Sequence, residues 1–252
     1  MNLHFRKIGE GQPLIILHGL FGSSDNWQSH AKKFAENFCV YLVDQRNHGH
    51  SPHDATMNYD AMADDLLELI AAEGLRDVIL LGHSMGGKTV MRFAQKNAFL
   101  VDRMIVVDMG IKQYRPHHDL IFQGLFHVDV DHVKSRKEAE ERLTQFVTEA
   151  STVQFLMKNL YWKTPEQLAW RFNLDVLNKE INAILSAMPN EIIDTPTLML
   201  TGGQSGYVPA KDFDSIAELI PNAEFKVIES AGHWVHAEAP AAFIEAVETY
   251  LL

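Results

Sequence analysis

Val78-Ile79-Leu80-Leu81-Gly82-His83-Ser84-Met85-Gly86-Gly87-Lys88 is the stretch that decides the fold. Four consecutive apolar residues of strand length run into Gly-x-Ser-x-Gly, and Lys88 to Lys96 then reads as a helix. Strand, tight turn and helix in that order lift a serine above a sheet and leave its hydroxyl exposed. The pattern alone is weak: at average glycine usage, chance supplies it in roughly one chain of this length in a dozen. Its setting sharpens it, since glycines at 82 and 86 let backbone segments approach where a Cβ would clash. An ordinary turn serine is the plain alternative.

Outward from this turn, short apolar runs recur at Leu14 to Leu17, Val40 to Val43, Met104 to Val107, Leu198 to Leu200 and Phe225 to Ile228. Each is followed by a turn signal and then by helical spacing, the pattern of a parallel sheet flanked by helices. Their hydrophobicity, continuous but for Lys226, suits strands covered on both faces. Tyr59, Met62, Leu66, Leu69 and Ile70 share one helical face, as do Phe243, Ile244, Val247, Tyr250 and Leu251; both stripes read as core. The alternation breaks between about Lys112 and Ile193. There the signals are helical: Ser135 with Glu138 as a capping box, and Thr164-Pro165-Glu166 as a second helix start. The expected layout is a core from 1–111 and 190–252, interrupted by a helical cap at 112–189 that lies over the sheet.

A length of 252 residues with 46% apolar residues and 10% aromatics is ample for a buried core. A formal charge of −11 disfavours nucleic acid and anionic membrane surfaces as partners, leaving small molecules. The single cysteine, Cys39, sits in an apolar run and reads as a structural thiol. The N-terminal residues lack the order of a secretory signal, and no apolar stretch approaches the roughly 18 residues that span a bilayer. The expected location is the cytoplasm.

A serine hydroxyl needs a base within hydrogen-bond reach, and the chain offers 13 histidines. His233 is the best placed, on a loop between the last strand run and the terminal helix, in the chain order serine, acid, histidine. His83 adjoins Ser84, but neighbours at a sharp turn point apart. His18, His48 and His236 read as structural. Strand Leu14 to Leu17 ends in His18-Gly19-Leu20-Phe21-Gly22, a loop able to aim an N–H at an oxyanion while the N–H of Met85 supplies the second. Leu20 is the first choice for that donor and Phe21 the second.

Several stretches together look like the α/β-hydrolase superfamily: Gly-His-Ser-Met-Gly-Gly at 82–87, His-Gly-Leu-Phe-Gly-Ser at 18–23, Asp44-Gln45-Arg46-Asn47-His48-Gly49-His50-Ser51, and Gly-His-Trp-Val-His-Ala-Glu at 232–238. With Trp170-Arg171-Phe172-Asn173 and Gly202 to Val208, the chain more narrowly resembles bacterial carboxylesterases of the YbfF type, from about Pro13 to the end. The resemblance implies an α/β-hydrolase fold with a helical cap and hydrolysis of small carboxylic esters or acyl thioesters through an acyl-serine. A carbon–carbon bond hydrolase with the same triad, or a ligand-binding member without turnover, are the alternatives. An epoxide hydrolase or haloalkane dehalogenase is disfavoured, because those carry an aspartate where this chain has Ser84.

The sequence departs from many relatives at one position. Where their triad acid ends a Gly-x-x-Asp segment, this chain has Ser205, which cannot carry the charge that stabilises an imidazolium. Asp108 closes the run Met104 to Val107, on the strand expected beside that of Ser84 and about 4.8 Å from it. The resemblance implies that some members of the superfamily, the YbfF-type esterases among them, use this position, so Asp108 is the expected acid; a capping or turn aspartate is the plain alternative, Asp212 and Asp214 are the other candidates, and Ser205 is a candidate fourth member of the relay. Tyr207 and Trp170 are candidates for the acyl pocket, together with Phe21. His127-Val128-Asp129-Val130-Asp131-His132 offers four metal-ligand types but reads as a solvated loop, and Gly9-x-Gly11 lacks the rest of a dinucleotide site. No cofactor or metal is indicated.

Overall fold

Alternation along each strand sorts the core into two layers. In the computed structural model, which describes residues 1–252, nine strands form: β1 (Phe5–Ile8), β2 (Pro13–Leu17), β3 (Cys39–Val43), β4 (Val78–His83), β5 (Val101–Val107), β6 (Leu160–Thr164), β7 (Gln167–Trp170), β8 (Thr197–Gly202) and β9 (Ala223–Ile228). Ile15, Leu17, Leu80, Met104, Val106 and Met199 point to one face of the sheet, while Leu14, Ile16, Ile79, Leu81, Ile105 and Leu200 point to the other. Helix α1 (Gln28–Phe34) packs on the second of these faces. Helices α2 (Tyr59–Ala72) and α3 (Met85–Asn97) cover the first.

Seven strands form one sheet in the order β1-β3-β2-β4-β5-β8-β9, parallel throughout except for β1. All six apolar runs expected from the sequence are strands of this sheet. The seventh, β1, was not legible, because Phe-Arg-Lys-Ile is short and half charged; antiparallel pairing of Phe5 to Ile8 with Val43 to Val40 makes it a strand. The chain leaves β2 for β3 on one side and later returns to β4 on the other. Such a reversal opens a crevice at the carboxyl ends of the strands, where loops from β2 and β4 face each other.

Between β5 and β8 the chain inserts five helices: α4 (Asp119–His127), α5 (Arg136–Leu143), α6 (Ala150–Met157), α7 (Leu174–Lys179) and α8 (Ile181–Ile184). The Ser135 hydroxyl caps α5 by accepting the Glu138 N–H at 3.1 Å, and the Glu138 carboxylate reaches back to the Lys134 N–H. Thr164-Pro165-Glu166 does not start a helix, which corrects the sequence expectation. It is the turn of an antiparallel hairpin in which Thr164 faces Gln167 and Leu160 faces Trp170. The governing period is two: Leu160, Leu168 and Trp170 are buried while the residues between them are not, and Pro165 presets the turn. The insertion builds its own apolar cluster around Leu143, Leu156, Leu168 and Leu177, which joins Phe21, Met57, Tyr59 and Met85 from the rest of the chain.

The C-terminal segment closes the fold with α9 (Phe213–Leu219), α10 (Val235–Glu238) and α11 (Pro240–Leu251). Proline at the first position of α11 costs no hydrogen bond, and Phe243, Ala246 and Val247 seal the sheet beside α1. Cys39 is free and buried in β3. No helix is long and apolar enough to cross a membrane.

Candidate active site

At the carboxyl end of β4 the backbone turns so sharply that Ser84 is forced to φ 53° and ψ −119°. Strain of this kind costs about 1–3 kcal/mol and persists only where the surroundings hold it. Here they do: the Ser84 N–H donates to the Val107 carbonyl at 3.0 Å, tying the elbow to β5. A Cβ at Gly82 would collide with the Gly86 carbonyl, and one at Gly86 with the carbonyls of Leu17 and His18. Only glycine lets α3 spring from the sheet at this angle.

The structure brings three of the sequence candidates into one relay. His233 Nε2 lies 3.0 Å from Ser84 Oγ, and His233 Nδ1 lies 2.7 Å from Asp108 Oδ2. Asp108 is fully buried just past β5, with its own φ at 48°. Its carboxylate also accepts the Gly202 N–H at 3.1 Å and the Ser205 hydroxyl at 2.5 Å. A buried anion so solvated by donors fixes the proton of His233 on Nδ1 and leaves Nε2 free to accept from Ser84. Asp212 pairs instead with Lys112 at 2.5 Å and Asp214 is exposed in the first turn of the helix at Phe213–Leu219, so neither enters the relay.

Two further contacts hold the imidazole. The Tyr207 ring stacks on it at 3.8 Å between centroids and 14° between planes, and the Tyr207 N–H donates to Ser205 Oγ. Burial pushes the Tyr207 phenol up to about 12, so it stays neutral, and its oxygen lies 2.6 Å from His117 Nε2. From below, His83 donates Nε2–H to the His233 carbonyl at 2.9 Å. Burial holds His83 well below the ordinary histidine range, first, and the neighbouring histidines add to the effect. It is a neutral strut for the loop that carries His233.

The loop after β2 is set by two neutral histidines. His48 donates Nδ1–H to the Arg46 carbonyl and with Nε2 accepts the Phe21 N–H at 3.2 Å. Burial lowers His48 to about 3, which keeps it an acceptor. His18 accepts the Gln45 N–H in the same way. The Phe21 N–H is thereby spent, whereas those of Leu20 and Met85 make no hydrogen bond within the protein. Asn159 of the insertion donates to the Phe21 carbonyl at 2.8 Å, a contact that no local sequence signal announces. Arg46 binds Asp65 through two nitrogens, at 2.6 and 2.8 Å, away from the serine.

A cavity of about 250 Å³ opens over Ser84, walled by Leu20, His118, Phe155, Tyr207 and Trp234 among others, with no lysine or arginine in its lining. His118 and Phe155 come from the insertion and were missed by sequence reasoning, since their packing is not local. Trp170 does not reach this cavity, against the sequence expectation: it stacks on Phe172 at 5.3 Å within the insertion's apolar cluster. In the His127 to His132 loop, His132 pairs with Asp129 and Asp131 accepts from Gln167.

Against known proteins, a family model described as alpha/beta hydrolase fold matches residues 12–240. The chain is 36% identical over 240 residues to the esterase YbfF of Escherichia coli (strain K12), covering 95% of this chain and 92% of that one. It is 38% identical over 247 residues to an sn-1-specific diacylglycerol lipase of Mus musculus, covering 94% and 80% respectively. A solved structure described as a marine microorganism esterase aligns with a TM-score of 0.96 at 40% identity, covering 99% of each chain. The resemblance read from the motifs is thus borne out over nearly the whole sequence, and this chain belongs to the α/β-hydrolase family.

Proposed function

We propose that this chain is a serine carboxylesterase that hydrolyses small carboxylic esters through an acyl-serine, with acyl thioesters as the alternative leaving-group chemistry. The carrying observation is the unbroken relay from Ser84 through His233 to Asp108 at 3.0 and 2.7 Å. As Ser84 Oγ bonds the acyl carbon, His233 Nε2 takes the hydroxyl proton. The tetrahedral oxyanion lies against the free N–H groups of Leu20 and Met85, a donor of this kind being worth about 2.7–4 kcal/mol of barrier. Collapse breaks the bond to the alcohol oxygen, which leaves with the proton from Nε2. Water then yields a proton to the same nitrogen as its oxygen bonds the acyl carbon; collapse breaks the bond to Ser84 Oγ, which takes that proton from Nε2, and the acid departs. Asp108 holds the tautomer and stabilises the imidazolium, with the Ser205 hydroxyl as a fourth member bearing on the same carboxylate oxygen.

The insertion at 112–189 acts as a cap, supplying His118 and Phe155 to the wall over Ser84. At about 250 Å³ the cavity falls below the about 300–1,000 Å³ of pockets that hold drug-sized ligands. With Glu149 and no lysine or arginine in its lining, it suits a short acyl group that is not an anion. The test is a series of p-nitrophenyl esters from acetyl to octanoyl beside acetyl-CoA, with Ser84→Ala as the blank. The expected result is highest kcat/KM at the short end and no turnover in the blank. A peak at octanoyl contradicts the small-acyl reading, and wild-type turnover in Ser84→Ala contradicts the mechanism.

A further inference from the structure

Lys88 is the largest anomaly outside the relay. It sits on α3 one turn past the elbow, its side chain fully buried, and forms no ion pair with any carboxylate. A buried ammonium without a counter-ion is expensive unless its protons are all engaged. Lys88 Nζ donates to the Lys112 carbonyl at 2.8 Å and to the Ser186 carbonyl. Nζ also lies 4.9 Å from the Tyr114 ring and 5.9 Å from the Tyr59 ring, within cation–π reach of both.

The two carbonyls belong to the segments by which the chain enters and leaves the insertion. Those segments bond to each other, Tyr114 N–H to the Leu185 carbonyl and Met188 N–H to the Ile111 carbonyl, both at 2.8 Å. Tyr59 adds a bond from its hydroxyl to the Ile184 carbonyl at 2.6 Å. Tyr114 in turn carries the connection to the reactive centre: its oxygen accepts the Gly110 N–H and donates to the Tyr207 carbonyl, and the Tyr207 ring lies on His233.

We infer that Lys88 is a positioning residue that clamps both hinge segments of the insertion and so sets the seat of the cavity wall over Ser84. The clamp responds to protonation. Burial pushes the Lys88 amine down to about 7, so both forms are populated near neutrality. The groups facing it are Tyr59 from α2, Tyr114 and Lys112 from the entry hinge, and Asp212, which pairs with Lys112. Burial raises both tyrosines, so neither titrates in this range. Loss of the proton leaves two N–H donors for the carbonyls but removes the charge that binds the aromatic faces and strengthens both bonds.

The role in catalysis rests on the esterase reading, but the clamp itself is tested without turnover. Hydrogen exchange of the wild-type protein between pH 6 and 8.5, corrected for intrinsic base catalysis, reads the hinge amides of Tyr114 and Met188 against those of β4 and β5. The hinge amides should lose about tenfold in protection relative to the sheet across this range; an unchanged ratio overturns the clamp. In Lys88→Met the relative loss should be about tenfold at pH 6 already, with Lys88→Arg restoring part of it. On p-nitrophenyl acetate, Lys88→Met should raise KM about tenfold with kcat changed less than threefold. Equal loss of hinge and sheet protection, or a fall in kcat with unchanged KM, marks general destabilisation and overturns the positioning role. Absence of esterase activity in the wild type would sink the esterase reading while leaving the exchange result to stand or fall by itself.

Discussion

Asp108 solves at the scale of one residue the problem that Ser205 poses. The carboxylate that bonds His233 stands at the end of β5, and in the loop after β8 the Ser205 hydroxyl bonds the same oxygen that His233 uses. Asp108→Asn should therefore lower kcat on p-nitrophenyl acetate by about 10⁴, because an amide no longer enforces the tautomer. A loss below tenfold would send the role elsewhere. Ser205→Ala should lower kcat about tenfold or more at unchanged KM, since a hydrogen bond to a charged group is worth about 1.5–3 kcal/mol; an effect on KM alone would remove Ser205 from the relay. The meeting of Ser84 and His233 was legible from motif and chain order, and that of Asp108 with His233 from the strand it ends. The stack of Tyr207 on His233 was not, nor was the retreat of Trp170 into the insertion: an aromatic residue in a short segment carries no sign of the direction it faces.

Among the elements, those with a strong local period were legible and those shaped by distant partners were not. Five of the six core strands carry buried apolar runs on both faces and announce themselves, and β9 shows its apolar residues in alternation with exposed Glu224 and Lys226, whereas β1 exists because β3 offers it an edge. The β6–β7 hairpin was misread because Thr-Pro-Glu serves as a helix start or a turn with equal local logic, and only the packing of Leu160, Leu168 and Trp170 chooses. The elbow is the element on which the site depends most. Gly86→Ala places a methyl against the carbonyls of Leu17 and His18, and overpacking of this kind costs about 1–3 kcal/mol. At about 2–4 °C per kcal/mol for a chain of this size, a thermal melt should show a clear drop in Tm. An unchanged Tm would mean that the elbow has slack the structure does not show.

For the whole molecule, buried neutral histidines set the acid limit. His48, His118 and His236 are each lowered to about 3, first by burial and then by neighbouring histidines. Between that value and the ordinary histidine range near 6.5, the unfolded chain binds protons that the folded chain refuses. Stability contributed by these groups is complete above about 6.5 and declines as pH falls toward 3, by about 1.4 kcal/mol per pH unit for each fully titrating group. Thermal melts from pH 7 to pH 4 should show Tm falling steadily with acid. A level Tm over that interval would mean that the histidines accept protons without unfolding. The proposed chemistry turns on the reactivity of a single hydroxyl. The most direct measurement is labelling of the intact protein with a fluorophosphonate, followed by peptide mass spectrometry. One adduct on Ser84, formed rapidly in the native chain and abolished in His233→Ala, is the predicted result; no adduct, or an adduct on any other residue, would contradict it.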